Sequence, residues 1–363
     1  MSHLEQLLSH SCAVRYIVEG VPPVPIHVRI EPTEGCNMRC SFCIWHGNER
    51  HPNIASGTTY TGSHSLPRTR LLMLIDELAE IGTKAISFTG AGDPLVYPHL
   101  EEVLQRAHDS GLQYAVTTNF AMPVSDALIE VLCQACWIRI SMSAGSAATY
   151  NAVQLPAGGS GAFERLQDNV RGLVVARRRL GTRVRINASF VVIPGNCDEV
   201  LQAARLAHGL GFDSISFRPD DPAICGIAPM KFDAETAKQL AEAARSFNAA
   251  SFKVNHSDSV AERNPAAVSG LRCLYADHTA YIAATGEVYP CCYTRYDRRF
   301  VIGNIVSGTF RDFWWSREHQ QRLSRLLVAG CPACPYDDTN ISLSRRGQMS
   351  LSDCGIEEGA VFI

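Results

Sequence analysis

The chain has 363 residues, of which 46% are hydrophobic and 19% charged, a composition typical of globular proteins and unlike that of disordered ones. Its net charge of −3 and pI near 6.5 provide no basic surface, so neither nucleic acid nor an anionic membrane is an expected partner. No apolar run reaches the roughly 18 residues of a membrane helix, and the N-terminus shows no signal peptide, which predicts a cytoplasmic protein.

The cysteine content is the outlier of the composition. Fourteen Cys in a chain without an export signal favour metal or redox chemistry over a disulfide framework.

Short β-rich runs alternate with longer helical segments from residue 25 to about 250. Strands are predicted at 25–31, 84–89, 113–119, 137–143, 183–193 and 213–218. Helices are predicted between them, including 69–81, 98–110 and 126–136, with Ser125 as an N-terminal cap and Gly111 after a helix end. Six βα units in series predict a parallel sheet with right-handed crossovers, hence a curled or barrel-like α/β domain.

Polar and apolar residues alternate along all six predicted strands. Strands of a parallel sheet covered on both faces usually read as continuous apolar runs, so the alternation is unusual. The polar residues share one parity: Arg29/Glu31, Ser87/Thr89, Thr117/Asn119, Arg139/Ser141/Ser143, Arg185/Asn187/Ser189 and Ser216/Arg218. We expect them to line a polar cavity while the apolar parity faces the helices; the alternative is that some strands are edges with solvated faces.

Two segments depart from the βα rhythm. Residues 46–68 are polar and rich in Gly, Ser and Thr, which predicts a long loop, either a lid or disordered. After about residue 268, residues 278–292 predict a hairpin turning at Thr285-Gly286, and a helix at about 309–328 precedes a Cys-Pro-Ala-Cys knuckle. The predicted domains are an N-terminal extension (1–24), a barrel-like domain (25–250) and a small α+β domain (251–363).

Cys36, Cys40 and Cys43 form a C-x3-C-x2-C loop directly after the first predicted strand. Thiolates bind iron–sulfur clusters, and a short loop can wrap three of them around one cube. Three ligands for four irons leave one iron open, as in catalytic metal sites. The alternative is zinc, which usually takes four protein ligands, and His46 is available to complete such a set.

This loop, with Phe42 as its aromatic residue, resembles that of the radical S-adenosylmethionine (SAM) superfamily. The resemblance implies a partial (β/α)6 barrel and a [4Fe–4S] cluster whose open iron is chelated by the amino and carboxylate groups of SAM. It further implies cleavage of SAM to a 5′-deoxyadenosyl radical, which abstracts hydrogen from substrate, and an electron donor such as flavodoxin or ferredoxin.

Further segments resemble the SAM-binding motifs of that family. Gly90-Ala91-Gly92-Asp93-Pro94 is similar to the GGEP segment, with Asp93 in place of Glu, and Ser143 stands where relatives often carry a ribose-binding Asp. Residues 192–196 resemble an adenine-packing turn. The resemblance implies these cofactor-binding residues: Phe42, Gly90, Gly92, Asp93, Asn119, Ser141, Ser143, Arg185 and Ile193.

A second cysteine set lies in the C-terminal part. Cys273, Cys291, Cys331 and Cys334, with Gly286 between the first two, resemble the twitch module, a shortened SPASM domain that holds one auxiliary [4Fe–4S] cluster. Four protein ligands would close that cluster and suit it to electron transfer. Cys292 is the rival of its neighbour for the second position, because adjacent strand residues point to opposite faces.

Seven cysteines stand outside the two sets: Cys12, Cys133, Cys136, Cys197, Cys225, Cys292 and Cys354. Cys133 and Cys136 have apolar neighbours on a predicted helix and are expected in the core. Cys354 lies in a polar, Gly-flanked tail, and we predict it as the thiol that returns hydrogen to a substrate radical. The alternative for Cys354 is a structural or surface thiol.

Several reactions follow from the same first hydrogen abstraction. The auxiliary cysteine spacing is similar to that of aminocyclitol dehydrogenases, in which a ketone forms, and of radical epimerases, in which a Cys inverts the carbon. We predict epimerisation at a carbinol carbon of a carbohydrate or aminocyclitol in antibiotic biosynthesis, with dehydrogenation as the alternative. A peptide-modifying maturase is disfavoured because only about 24 residues precede the first strand. A non-enzymatic alternative is electron transfer or iron sensing.

Overall fold

A computed structural model of the chain describes residues 23–46, 60–159, 161–220, 231–256, 267–331, 334 and 336–346. Its strands are β1 (His27–Ile30), β2 (Ala85–Phe88), β3 (Gln113–Thr118), β4 (Trp137–Ser141), β5 (Arg185–Val192), β6 (Ser214–Pro219), β7 (Lys253–His256), β8 (Thr279–Ile282), β9 (Glu287–Tyr289) and β10 (Gly303–Asn304). Its α-helices are α1 (Arg68–Glu80), α2 (Leu100–Asp109), α3 (Asp126–Leu132), α4 (Ala147–Gln154), α5 (Ala162–Leu180), α6 (Val200–Leu210), α7 (Ala234–Phe247), α8 (Phe310–Trp314), α9 (Arg317–Ser324) and α10 (Asp337–Arg346).

The described strands form one sheet in the order β10-β9-β8-β1-β2-β3-β4-β5-β6-β7. Strands β1 to β7 are parallel neighbours in chain order, and β8 pairs in parallel with the free side of β1. Only the hairpin β8–β9 and the short β10 are antiparallel. The predicted α/β fold with a large parallel sheet is confirmed, and the C-terminal hairpin extends that sheet.

The two parities of the strands face different surroundings. The apolar parity packs into the core, each side chain at most 1% exposed: Ile30, Ile86, Phe88, Val116, Ile138, Ile140, Ile186, Phe190, Ile215 and Phe217. Burying such a side chain contributes about 1.5–3 kcal/mol, so this layer fixes the register of the strands. Much of the polar parity lines internal cavities, as predicted: Arg29, Ser87, Thr89, Thr117, Arg139, Ser141 and Arg218.

Several local signals behave as predicted, and one does not. The Ser125 side chain caps α3 by accepting a hydrogen bond from Leu128 N, and Gly286 turns the β8–β9 hairpin with φ of +81°. The helix predicted at 309–328 is instead α8 and α9. The chain breaks between them because Ser316 adopts an extended conformation and its hydroxyl caps the second helix at His319 N. None of the described helices is long and apolar enough to cross a membrane.

Candidate active site

The thiols of Cys36, Cys40 and Cys43 line a cavity of about 360 Å³ at the carboxyl ends of the parallel strands. Backbone amides point at the sulfurs: Met38 N lies 3.4 Å from Cys36 Sγ, and His46 N lies 3.4 Å from Cys43 Sγ. Hydrogen bonds to cysteine sulfur are a common feature of iron–sulfur sites, where they tune the cluster potential. The local geometry therefore suits thiolate ligands of a cluster.

The donor set fits a cubane better than a single ion. His46, the alternative fourth ligand for zinc, is buried, and its Nε2 lies 3.0 Å from the Tyr60 hydroxyl. In the described part of the chain, no three His, Cys, Asp or Glu side chains converge closely enough to hold one metal ion. A cubane instead places each thiolate on a separate iron, which sets the sulfurs further apart. Three thiols on an open cavity thus fit a [4Fe–4S] cluster.

Burial disfavours the thiolate form of two of these cysteines, Cys36 and Cys40. It raises the pKa of Cys36 to about 12, and it raises the pKa of Cys40 above its ordinary value, with repulsion between neighbouring thiolates adding to both. Because a thiolate is the ligand that binds a metal, the positive charge of iron has to offset this cost.

The segment after β2 packs tightly on the cysteine loop. A Cβ added at Gly92 would lie 2.4 Å from the carbonyl oxygens of both Thr33 and Gly35, and one at Gly90 would lie 2.5 Å from Glu31 Cγ. Asp93 is buried and accepts hydrogen bonds from Thr118 Oγ1 at 2.8 Å and Asn119 N at 2.6 Å. The glycines permit the close approach, and the aspartate ties the segment to the end of β3.

Alanine at Gly92 is expected to displace the cysteine loop, because its methyl group meets two rigid backbone carbonyls. We expect loss of iron after anaerobic reconstitution and a fall in the unfolding free energy of several kcal/mol. The matched control is Gly172→Ala, which lies on the exposed face of α5 with no atom within 4 Å of an added Cβ. That variant should hold as much iron as the wild type; equal iron in both variants would contradict the packing argument.

The other predicted SAM-binding residues are not all brought together. Phe42, Asn119 and Ser141 line the cavity with the three thiols, and the Asn119 Nδ2 lies 4.0 Å from Cys36 Sγ. Two others are placed elsewhere among the described residues. Arg185 is exposed at the amino end of β5, and the Ser143 hydroxyl is buried, accepting a hydrogen bond from Val191 N at 3.1 Å.

Ile193 contributes to a turn. Its backbone N donates to Asn196 Oδ1 at 2.8 Å, in the segment that resembles an adenine-packing turn. One lining residue that the sequence analysis missed is Gln154, at the end of α4. Its buried amide accepts a hydrogen bond from Ser143 N and donates to the Ser141 carbonyl. No sequence signal marked it, because it is brought to the end of β4 by tertiary folding.

A second cavity, of about 500 Å³, continues the first into the lumen of the curved sheet. Both cavities share six lining residues: Thr89, Gly90, Thr117, Cys292, Tyr293 and Arg295. The last three follow the β8–β9 hairpin, so the C-terminal part of the chain supplies one wall of both cavities. The guanidinium of Arg295 lies 4.9 Å from the Trp45 ring centroid, which links this wall to the cysteine loop.

The second cysteine set converges without Cys292. Cys273, Cys291, Cys331 and Cys334 border one small apolar void, and Tyr336 N lies 3.3 Å from Cys334 Sγ. Burial raises the pKa of Cys291 to about 11 and also raises the pKa values of Cys273 and Cys334. Repulsion from a neighbouring thiolate raises each of the three further. Four thiols around one void fit a closed cluster, whereas the Cys292 side chain faces the cavities.

Of the remaining spare cysteines, the structure describes Cys133, Cys136 and the half-buried Cys197. Cys133 is buried in the core as predicted, and Cys136 is half-buried, with its Sγ 3.1 Å from Gln113 Oε1. Cys354, predicted as the hydrogen donor, lies outside the described residues, as do Cys12 and Cys225.

Glu31 joins the barrel to the C-terminal hairpin. Its carboxyl accepts hydrogen bonds from Tyr281 Oη at 2.5 Å, Ala91 N at 3.0 Å and Tyr296 Oη at 3.1 Å. The residue is completely buried, and this burial raises its pKa to about 7. The hydrogen bonds and the nearby Arg295 oppose the rise without cancelling it.

This raised pKa predicts that the fold loses stability with rising pH. The stabilisation from the neutral carboxyl is complete below its ordinary value of 4.5 and is lost as the pH rises through about 7. Between about pH 5 and about pH 8 this group should lower the free energy of unfolding of the wild type by about 3 kcal/mol, and Glu31→Gln should abolish that fall. Anaerobic urea unfolding at the two pH values measures the difference. Glu164→Gln, an exposed change on α5, should keep the wild-type pH profile. Parallel profiles for wild type and Glu31→Gln would contradict this prediction.

The cavity with three thiols at the end of a curved parallel sheet defines a class of iron–sulfur enzyme. The sequence matches the Radical SAM superfamily over residues 30–219, more than half of the chain, and the iron–sulfur cluster-binding SPASM domain over residues 273–335. The chain therefore belongs to the radical SAM superfamily. Its cofactors are SAM, a [4Fe–4S] cluster that binds it and an auxiliary [4Fe–4S] cluster.

Known proteins resemble the chain at low identity. The AdoMet-dependent heme synthase of Methanosarcina barkeri is 24% identical over 352 residues, which cover 90% of this chain and 93% of that protein. The dTDP-4-amino-4,6-dideoxy-D-glucose ammonia-lyase of Streptomyces venezuelae is 25% identical over 62% of this chain and 46% of its own length. The chain therefore spans less than half of the ammonia-lyase.

A solved structure shares the fold. SuiB of Streptococcus suis, crystallised with SAM, superimposes with a TM-score of 0.60 at 13% identity, over 84% of this chain and 69% of SuiB.

Proposed function

We propose that this radical SAM enzyme abstracts hydrogen from a carbinol carbon of a hydroxyl-rich substrate, a carbohydrate or aminocyclitol of natural-product biosynthesis, and inverts that carbon with hydrogen from a cysteine thiol. One observation carries the proposal. A continuous space leads from the Cys36, Cys40 and Cys43 thiols into a polar lumen, and the Cys292 side chain lies on the wall that both cavities share.

The lining of the lumen supports a hydroxyl-rich substrate. Ser87, Thr89 and Thr117 place hydroxyl groups along one wall, and Tyr293 and Tyr336 line the other. A buried polar group left without a hydrogen bond is costly, so such a wall favours a ligand with many donors and acceptors. The similar ammonia-lyase is named for a dTDP-activated sugar, which also supports a carbohydrate.

The chain supplies the second hydrogen transfer in this proposal. When bound, the cluster and SAM provide the radical that takes the first hydrogen atom from the substrate. The S–H bond of Cys292 then breaks as a new C–H bond forms on the opposite face of the carbon, and a thiyl radical stays on the protein. One electron from a flavodoxin- or ferredoxin-type donor and one proton restore the thiol. Cys354 is a second candidate for this role, on sequence alone.

Dehydrogenation is the alternative outcome, and one observation favours it. Cys291 belongs to the auxiliary set, and the adjacent Cys292 lines the cavity, so the path from substrate to the second cysteine set is short. In that reaction the substrate radical would pass one electron to the auxiliary cluster held by the second cysteine set and lose one proton, so that a ketone forms and the thiol is not consumed.

Isotope labelling separates the two outcomes. The reconstituted enzyme is incubated in D2O with a panel that includes UDP-glucose, glucose 6-phosphate and 2-deoxystreptamine, and products are examined by mass spectrometry and NMR. Epimerisation is expected to place one deuterium on an inverted carbon, whereas dehydrogenation removes two hydrogens. Cys292→Ser should stop the labelled product, and Cys354→Ser tests the second thiol.

The matched control is Cys136→Ser, because Cys136 donates to Gln113 away from the cavity and serine retains that donor. A ketone product that survives Cys292→Ser would replace epimerisation by dehydrogenation. An inverted product without solvent deuterium would exclude a thiol donor altogether.

A further inference from the structure

Arginines are concentrated on the walls of the two cavities. Arg29, Arg139 and Arg295 line the lumen, and Arg218 lines the adjoining cavity together with Arg295. They come from β1, β4, β6 and the segment after β9, so separate parts of the chain direct cationic side chains into one space. Among the described residues that line the lumen, none is Asp or Glu.

The arginines of the two cavities differ in the groups that lie beside their positive charges. Arg295 has the buried Glu31 near it, and Arg29 donates a hydrogen bond to Tyr336 Oη at 3.3 Å. Arg139 is held differently: its guanidinium lies 5.2 Å from the Trp137 ring centroid, and no described carboxylate pairs with it. An arginine stacked on an aromatic ring is oriented by that contact and keeps its donors available.

The arginines also repel one another. Burial lowers the pKa of Arg139 from its ordinary value, and the charges of Arg218 and Arg29 lower it further. The three arginines share the strand parity that lines the two cavities, and Arg139 and Arg218 remain accessible to solvent there, so a ligand can reach them. Like charges that face one space raise the local concentration of anions there.

We propose that the lumen binds a substrate that carries a phosphoryl group, as a monophosphate or diphosphate, with Arg139 as a central contact and Arg29 and Arg218 beside it. The proposal rests on the proposed function, since it takes the lumen as the substrate site, and it narrows the substrate. Guanidinium groups bind phosphate oxygens through paired N–H donors, and several of them neutralise a dianion. A free aminocyclitol would bring protonated amines to the same arginines and is disfavoured.

Binding to the reconstituted, full-length enzyme tests this class. Isothermal titration in low salt is carried out with glucose 6-phosphate, UDP-glucose, glucose and 2-deoxystreptamine. The phosphorylated compounds should bind at least about tenfold more tightly than the neutral and cationic ones, and added salt should weaken the binding of the phosphorylated compounds. Tighter binding of glucose 6-phosphate would indicate a sugar phosphate as substrate, and tighter binding of UDP-glucose would indicate a nucleotide-activated sugar.

Two variants connect the binding to the arginines. Arg139→Gln should weaken binding of the phosphorylated ligands by about tenfold or more while SAM cleavage in the absence of substrate continues, because Arg139 lines the lumen and not the cavity of the cysteine loop. Arg218→Gln should weaken binding of the same ligands by a similar factor. Arg171→Gln, an exposed change on α5, should bind as the wild type does. Unchanged affinity for the phosphorylated ligands in both Arg139→Gln and Arg218→Gln, or binding of 2-deoxystreptamine as tight as theirs, would overturn the proposal.

Labelling and binding measured together separate carbinol chemistry from binding of a phosphoryl group. Turnover of a neutral or cationic substrate with deuterium incorporation would agree with the proposed function and refute the proposal that the substrate carries a phosphoryl group. Tight binding of a phosphorylated sugar that is never labelled or oxidised would support the anion site and count against carbinol chemistry.

Discussion

Alanine at Cys36, Cys40 or Cys43 is expected to reduce SAM cleavage to background. Each of these thiols opens on the cavity, and removing one leaves two ligands for a cluster that needs three. Iron content after anaerobic reconstitution should fall from about eight to about four per chain, since the auxiliary set is intact. Production of 5′-deoxyadenosine with dithionite measures the activity.

The control for this series is Cys136→Ala, which lies away from both cavities and should keep full iron and full cleavage. Cleavage that persists in any of the three loop variants would show that the cluster is held elsewhere. Full iron without cleavage in the wild-type protein would instead favour an electron-transfer or sensing role.

Serine at Cys291 and serine at Cys292 should have opposite effects, although the residues are adjacent. Cys291 is buried with three other thiols around one void, so Cys291→Ser should lose the auxiliary iron, about four atoms per chain, and destabilise the C-terminal part. Cys292 faces the substrate space, so Cys292→Ser should keep the iron and lose the hydrogen-return step.

Iron analysis and Mössbauer spectroscopy of the two variants measure this difference, and product analysis follows in parallel. Iron loss in Cys292→Ser together with retention in Cys291→Ser would exchange the two assignments. Equal iron in both would show that another residue ligates the auxiliary cluster.

Periodicity predicted the scaffold well because burial fixes it. The alternation along Ile138 to Ser141, for example, shows which face packs on helices, and the same argument holds for β1 to β6. Parity cannot show which end of a strand faces the cofactor. Arg185 has the same parity as Asn187 and Ser189, but it begins β5 and is exposed there, at the opposite end of the sheet from the cysteine loop.

Local sequence signals also could not show how the C-terminal segment closes the lumen. The pairing of β8 with β1 joins residues about 250 positions apart, and it brings Cys292, Tyr293 and Arg295 to the cavity wall. Alternation between adjacent residues indicated that only one of Cys291 and Cys292 binds the cluster easily, without indicating which. Tertiary packing of Cys291 with the other three thiols makes that choice.

Electron–nuclear double resonance of the reduced wild-type protein with 15N- and 17O-labelled SAM examines the iron that the Cys36, Cys40 and Cys43 loop leaves without a protein ligand. We expect hyperfine coupling from both the labelled amino nitrogen and a carboxylate oxygen of SAM, observed with intact loop cysteines and lost in Cys36→Ala. Absence of both couplings, with a histidine nitrogen or another side chain on that iron, would contradict the cofactor geometry from which the proposed reaction follows.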